Sequence, residues 1–204
     1  MANIKTLEQT LKANEFAITA EIPAPISASA SEMEEKIDLL TGHVHAINVT
    51  DNPGATAHMS SLAGCSIVRN KGIDPIFQVT CRDRNRLAIQ SDLMGASALG
   101  INNVLTLAGD PVKNGDQPDA KAVFDVNSKK ILSIMQSMND LGETMSGRQL
   151  QTKSNFFAGG AAIIHEPENN WDPVALKDKV TQGAKFIQTQ FCYDVDLLRD
   201  YMKH

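Results

Sequence analysis

Short runs of β-branched and apolar residues alternate along the chain with longer segments in which apolar residues recur at helical spacing. This alternation is the pattern of repeated βα units around a parallel sheet, and six units can be counted. The predicted strands are 16–22, 44–49, 75–80, 103–107, 155–164 and 185–191, and the predicted helices are 29–41, 56–70, 84–99, 123–141, 173–183 and 195–204.

Glycines mark the ends of the helical runs, and no low-complexity segment or compositional boundary interrupts the chain. A glycine follows five of the six runs, at Gly42, Gly72, Gly100, Gly142 and Gly183. Glycine readily takes the left-handed conformation in which many helices end, so these residues are read as helix stops. We therefore expect one domain that spans residues 1–204.

Regular βα alternation permits two architectures, an open doubly wound sheet or a closed (β/α)8 barrel, and periodicity alone does not separate them. The sequence AEIP at 20–23 follows the first strand, where the glycine-rich dinucleotide fingerprint of the open sheet would stand. In a barrel, the residues at the carboxyl ends of the strands converge on one mouth, where active sites are built. Polar residues gather at those ends: Glu21, Thr50 to Asn52, Gln78 with Thr80, Gly109 with Asp110, His165 with Glu166, and Gln190.

Composition and charge narrow the function classes. The chain has 19 Lys and Arg against 24 Asp and Glu, a net charge of −5, and no basic run that would neutralise a nucleic-acid backbone. No 18 apolar residues run together, and residues 1–14 lack the apolar core of a signal peptide, so we expect a cytoplasmic protein without a membrane partner. The three cysteines are far apart and indicate neither a disulfide framework nor a CxxC metal site, so we expect reduced, partly buried thiols.

Four motifs together resemble the methylenetetrahydrofolate reductase family. They are VTDNP at 49–53, VTCRDRN at 79–85, LAGDP at 107–111 and TQF at 189–191. They occur in the order and at the spacing of that family, over nearly the whole chain from Glu21 onward. The CRDRN run is most similar to the branch in which the reductase domain is fused to a homocysteine S-methyltransferase.

The resemblance implies an α/β fold of the (β/α)8 TIM barrel type, of which this chain supplies about six units and lacks the last two. It implies an FAD enzyme that reduces 5,10-methylenetetrahydrofolate to 5-methyltetrahydrofolate in one-carbon metabolism and methionine biosynthesis. Electrons would come from NAD(P)H or an electron-transfer partner. Because six strands do not close an eight-stranded barrel, a homo-oligomer or a partner subunit could complete it. The alternative is a non-catalytic or methyl-transferring folate-binding subunit of a larger complex.

Two carboxylates are the predicted catalytic residues. Glu21 ends the first strand between Ala20 and Ile22, where desolvation would raise the pKa of its carboxyl group. The resemblance makes it the general acid that protonates the leaving nitrogen of the folate ring; the alternative is a carboxylate paired with a Lys or Arg. Asp110 follows a small residue and a glycine, which let the backbone approach a planar ring. The resemblance places it against flavin and folate, while the alternative is an Asx turn before Pro111.

The remaining site residues rest on the resemblance. Gln190 would contact folate, with Phe191 and Tyr193 as apolar walls. Lys179 would pair with a phosphate, and Asp172 with ribose or the phosphate loop. The alternatives are that Lys179 is a solvated helix residue and that His165 is a loop histidine without a role in binding. Ala108 and Gln78 replace an Arg and a His that many members carry. The predicted FAD contacts are Thr50, Asp51, Gln78, Ala108, Gly109, Asp110, Phe124, Asp125, Ile163, His165, Asp172 and Lys179.

Overall fold

The sheet of this protein has six strands, all parallel, in the order in which they occur along the chain. The structure, a computed structural model, describes residues 4–168 and 171–204. The strands are β1 (Thr19–Ile22), β2 (Ala46–Val49), β3 (Asp74–Thr80), β4 (Asn103–Leu107), β5 (Phe157–Ala162) and β6 (Phe186–Thr189). All six predicted βα units are present, so the α/β assignment from the sequence is confirmed.

A helix precedes the first strand, and others follow each strand in turn. They are α1 (Leu7–Lys12), α2 (Ser31–Leu40), α3 (Ser61–Asn70), α4 (Arg86–Ala98), α5 (Ser128–Asp140), α6 (Val174–Thr181) and α7 (Val195–Tyr201), with short 3-10 turns at Pro53–Ala55 and Val112–Asn114. Side-chain caps define several starts: Asn85 accepts from the backbone of Leu87 and Ala88 at α4, and Asn127 accepts from Lys130 at α5. No described helix has both the length and the apolar character needed to cross a bilayer.

Three features of the helices differ from the sequence prediction. Helix α1 was not predicted, yet Thr6 and Gln9 form a reciprocal capping box at its start. Helix α3 begins at Ser61, five residues later than predicted, because the 3-10 turn and the Ser60 cap precede it. Helix α5 begins at Ser128 because the two residues expected to open it, 123 and 124, donate their backbone N–H groups to carbonyls beyond the end of β3.

Alternate side chains of each strand face opposite sides of the sheet. On the outer side, Ile47, Phe77 and Val104 are fully buried against the helices. On the inner side, apolar residues of five strands form a second cluster with Leu7 of α1: Ala46, Ile76, Leu105, Phe157 and, partly buried, Phe186. One cavity is lined both by Thr19 of β1 and by residues 186–188 of β6, so the sheet curls until its first and last strands face each other. The fold is therefore a half-barrel of the (β/α)8 type.

Candidate active site

A cleft of about 390 Å³ lies at the carboxyl ends of the strands, inside the curl of the sheet. Because parallel strands all end at the same edge, residues from every strand or the loop after it reach this cleft. Its polar lining includes Glu21, Thr50, Gln78, Asp110, Gln188 and Gln190, and its apolar lining includes Leu105, Leu107, Ala161, Ala162 and Ile163. Five of the six strand-end positions singled out in the sequence thus share one mouth.

Glu21 and Gln78 are in direct contact within the cleft. The amide Nε2 of Gln78 donates to Oε2 of Glu21 over 3.1 Å and lies 3.5 Å from Oδ1 of Asn48. The carboxylate of Glu21 is exposed, in contrast to the desolvated setting expected from its apolar neighbours. The reason is strand alternation: Ala20 and Ile22 face the outer core, so they bury the opposite side of β1 and not the side that carries Glu21.

Thr50 and Asp51 follow β2 but differ in their surroundings. Asp51 is buried, and its carboxylate is fully partnered. It accepts hydrogen bonds from the backbone N–H and the hydroxyl of Thr80 and from two nitrogens of Arg84. These bonds join the ends of β2 and β3. The hydroxyl of Thr50 is also buried, with the residue only 6% exposed, yet its Oγ1 finds no hydrogen-bond partner among the described residues. A buried hydroxyl without a partner is costly, so this atom is a polar group that a bound molecule would satisfy.

Asp110 is exposed, and its carboxylate is held from across the cleft. Its Oδ2 accepts from the backbone N–H of Gly54 over 2.9 Å, in the 3-10 turn that follows β2. Gly109 before it has φ +92°, a left-handed conformation that L side chains rarely adopt. The hydrogen bond to Gly54 therefore joins two loops, whereas the Asx turn considered for Asp110 would close within its own loop.

Five predicted cofactor contacts, among them Lys179, lie outside the set of cleft-lining residues. His165 packs edge-on against Trp171 and Tyr201, with ring centroids 5.0 and 5.5 Å away. Asp172 forms an ion pair with Lys177. Asp125 is bonded by Arg86, which lowers the pKa of the carboxyl group to about 2. The fourth is Phe124, which is half exposed at φ +41° beside Asp125.

Lys179 reaches the back of the cleft wall. Its ammonium group contacts the carbonyl of Ala161, and its aliphatic stem crosses Gly160, where an added Cβ would lie 3.0 Å from Cδ of the lysine. Burial, followed by the charge of Lys129, lowers the pKa of Lys179. Within the described part of the chain it has no carboxylate partner. An anionic group placed there would offset the cost of partly burying this cation.

Arg82 is a cleft residue that the sequence did not single out. Its side chain is only 2% exposed, although arginine is rarely buried to this extent. It lies in the CRDRN run, in which residues 82 to 84 are all charged, so charge alone does not distinguish it from its neighbours. A charged residue two positions beyond an inward-facing Thr80 shares its side of the strand, and this periodicity is the only signal that could have marked it.

Comparison with known proteins identifies the lineage of this chain. A sequence model of the methylenetetrahydrofolate reductase family matches residues 6–204. The chain belongs to the methylenetetrahydrofolate reductase family. Two relatives from Schizosaccharomyces pombe, methylenetetrahydrofolate reductases 1 and 2, are 27% identical over 181 residues and 29% identical over 153 residues. These alignments cover 85% and 69% of this chain but only 28% and 22% of the relatives, so the chain spans less than a third of their length.

A solved structure shares the fold of this methylenetetrahydrofolate reductase family member. It is a protein of uncharacterised function from Clostridium thermocellum, described as binding two copies of 5-methyl-5,6,7,8-tetrahydrofolic acid. The two superpose with a TM-score of 0.67 over 97% of this chain and 62% of the other, at 15% identity. At that identity the likeness supports the fold, namely six consecutive units of the barrel.

Proposed function

We propose that this chain carries the flavin- and folate-binding site of an enzyme that reduces 5,10-methylenetetrahydrofolate to 5-methyltetrahydrofolate. Family membership supports a folate-related reductase. The observation that carries the finer proposal is the meeting of Glu21, Gln78 and Asp110 in one cleft beside the unpartnered hydroxyl of Thr50. Such a cleft combines a proton donor, groups that hydrogen-bond a heterocycle edge and an apolar floor.

Glu21 would supply the proton that the reaction needs. Opening the five-membered ring of the folate requires protonation of its leaving nitrogen, and this yields the iminium that accepts a hydride. Glu21 is exposed at the cleft, so its carboxyl group can reach a substrate bound there. Gln78 would hold the carboxyl group in one orientation, since an amide donates to the anion and accepts from the acid.

Asp110 and Gln190 would bind the pterin. A reduced pterin presents adjacent N–H groups and a carbonyl along one edge. The carboxylate of Asp110 accepts hydrogen bonds, and the amide of Gln190 both donates and accepts. Leu105, Leu107 and Ala162 give the apolar floor on which a flat ring would lie, and the small side chains of Ala108 and Ala161 leave room for it.

The described residues fit an FAD cofactor in three respects. Thr50 offers an unsatisfied hydroxyl, the apolar floor suits an isoalloxazine ring, and Lys179 offers a partly buried cation without a carboxylate partner for a diphosphate. When bound, the flavin would supply hydride to the folate after taking electrons from NAD(P)H or an electron-transfer partner. Ala108 provides none of the charge of the Arg that many members carry there, so binding would depend more on Lys179.

The visible spectrum of the purified protein tests the proposal. We expect flavin absorbance, either as purified or after incubation with FAD, and binding of 5-methyltetrahydrofolate in equilibrium dialysis. A protein that binds folate but retains no flavin would favour the folate-binding subunit. A protein that binds neither would overturn both functions.

A further inference from the structure

Arg82 is buried between the loops that follow β2 and β4. Its Nη1 donates to the backbone carbonyl of Asp110 over 3.1 Å, and its Nη2 donates to the carbonyl of Asn52 over 3.0 Å. The adjacent Asp83 accepts from Nε and Nη2 of the same guanidinium, at 2.6 and 2.7 Å. One side chain, oriented by a carboxylate on its own loop, therefore joins two other loops.

The loop after β2 needs such support because its backbone is strained. Asn52 and Ala55 have φ +46° and +57°, values that non-glycine residues rarely adopt. Conformations of this kind persist only where surrounding contacts determine them, and they cluster at functional sites. Here Arg82 bonds the carbonyl of Asn52, while the Asn52 side chain donates to Asp83 and accepts from the backbone of His58.

The strained loop in turn holds the carboxylate of Asp110. The backbone N–H of Gly54, between the two strained residues, donates to Oδ2 of Asp110. Arg82 thus fixes Asp110 at both ends, directly through its carbonyl and indirectly through the Gly54 N–H. The loops pack closely as well: a Cβ added at Gly109 would lie 3.0 Å from Cβ of Arg82.

The charge of Arg82 is balanced locally. The hydrogen bonds that Arg82 donates to Asp83 raise the pKa of the guanidinium, against the effect of burial. Burial alone would raise the pKa of Asp83, but bonds from Arg82 and Asn52 leave it below its ordinary value. The pair is therefore a neutral, fully ionised unit, which supplies directed N–H groups without adding net charge to the cleft.

We propose that Arg82, oriented by Asp83, is a positioning residue that holds the Asp110 carboxylate in place to bind the polar edge of a reduced pterin. This inference rests on the proposed function. It predicts that Arg82 contributes to folate affinity only through Asp110, so the effects of changing the two residues should not add.

A double-mutant cycle with 5-methyltetrahydrofolate as the probe tests this role by isothermal titration. The variant Arg82→Gln with Asp83→Asn removes both charges together and leaves neither unpaired; it should weaken binding roughly tenfold, the usual effect of losing a charged hydrogen bond. Asp110→Asn should weaken binding comparably. The triple variant should bind 5-methyltetrahydrofolate as tightly as Asp110→Asn does. Additive losses would overturn the proposal.

Two further variants distinguish a specific effect on binding from a general loss of folding. Arg82→Lys keeps the charge and the pairing with Asp83 but lacks the planar fork, so we expect most of the affinity loss to remain. Lys71→Gln breaks the Lys71–Asp38 ion pair at the opposite end of the strands and should leave binding unchanged. Full affinity in Arg82→Lys would mean that charge, and not positioning, is what Arg82 provides.

Amide hydrogen exchange of the ligand-free protein separates this inference from the proposed function. The Gly54 N–H should exchange at least roughly tenfold faster in Arg82→Lys, which loses the fork that holds the loop, and in Asp110→Ala, which loses the acceptor of that hydrogen bond. Unchanged exchange would overturn the positioning role even if folate binds. Failure of the unaltered protein to bind folate would instead overturn the proposed function, while exchange would still decide whether the loops are held as described.

Discussion

The amide of Gln78 donates a hydrogen bond to the carboxylate of Glu21 over 3.1 Å, although the residues are 57 positions apart and on non-adjacent strands. The curl of the sheet brings β1 and β3 this close, with Asn48 of β2 beneath them. An amide does not titrate, so it can serve both protonation states of Glu21 by reorienting. A histidine at this position would place a second titrating group beside the acid.

We therefore expect Gln78→His to add an ionisation near neutral pH to the pH profile of folate reduction. The rate should fall as pH decreases through that ionisation, because an imidazolium beside Glu21 stabilises the carboxylate and opposes proton donation. Steady-state kinetics between pH 5 and 9 measure the profile. Gln149→Leu, at an exposed bridge with Glu143, is the control. A pH profile for Gln78→His identical to that of the unaltered protein would show that residue 78 does not influence proton donation by Glu21.

Glu21→Gln tests the proposed general acid. The variant keeps the shape and the contact with Gln78 but has no proton to give. Under the proposed function, oxidation of the reduced, FAD-loaded protein by 5,10-methylenetetrahydrofolate should fall by roughly 10² or more, the usual contribution of a positioned general acid. Reduction of the flavoprotein by its electron donor should be unaffected. Stopped-flow absorbance separates the two half-reactions; equal slowing of both would assign Glu21 a structural role, and no slowing would place the proton donor elsewhere.

The regular parts of the fold follow from the sequence because they depend on local pattern. Six apolar strand patterns separated by helical ones determined a parallel sheet, and the parallel arrangement alone brought Glu21, Gln78 and Gln190 to one edge. Helix α1 has only six residues, and its position depends on Leu7 filling the inner face of the sheet, a tertiary contact that local pattern does not contain. Its start at Thr6 would have been visible as a capping signal.

The less predictable part of the site lies in long loops and charged runs. His165 follows β5 in a loop whose conformation depends on contacts with Trp171 and Tyr201, the latter 36 positions along the chain. Arg82 stands beside Asp83 and Arg84, and its two-residue spacing from Thr80 favours it as the inward-facing charge, but its burial and its partners appear only in the three-dimensional contacts. Sequence spacing indicated where the site lies, whereas the partners of each side chain required the structure.

The buried ion pair of Asp51 and Arg84 should be important for stability. The Asp51 side chain is 1% exposed, and Arg84 bonds both of its oxygens at 2.7 and 2.8 Å. Arg84→Met would leave a buried carboxylate bonded only by Thr80, so we expect a loss of about 3–5 kcal/mol in the free energy of unfolding. Urea denaturation measures it. Arg86→Met breaks the exposed pair with Asp125 and should cost far less; equal losses would show that Asp51 tolerates the absence of its partner.

The three thiols should differ in reactivity. Burial raises the pKa of Cys81 to about 11, and burial, with the charge of Asp51, raises that of Cys65 further. Cys192 is partly exposed. Because the thiolate is the reactive form, Ellman's reagent at pH 8 should modify Cys192 rapidly and the other two only on unfolding. Cys192→Ser should abolish the rapid phase. Rapid modification of any thiol in that variant would contradict the burial of Cys65 and Cys81.

Gly159 and Phe186 lie side by side in the register of β5 and β6, and the phenylalanine ring covers the glycine. A Cβ at residue 159 would lie 2.3 Å from Cζ of Phe186, which stacks on Phe157 with a centroid distance of 5.3 Å. Gly159→Ala must therefore displace the ring, and overpacking of this kind costs about 1–3 kcal/mol. Loss of the aromatic pair would add about 0.5–1.5 kcal/mol.

The control for this change is Gly95→Ala in α4, where the nearest heavy atom to the new Cβ is 3.6 Å away. There the methyl group fits and alanine favours the helix, so we expect a gain of about 0.5–1 kcal/mol. In a Phe186→Leu background the clash is relieved, and Gly159→Ala should cost much less than in the unaltered protein. Urea denaturation of the four proteins in the cycle measures the coupling. If Gly159→Ala were equally destabilising in both backgrounds, the requirement for glycine would lie in the backbone of β5 and not in the ring packed over it.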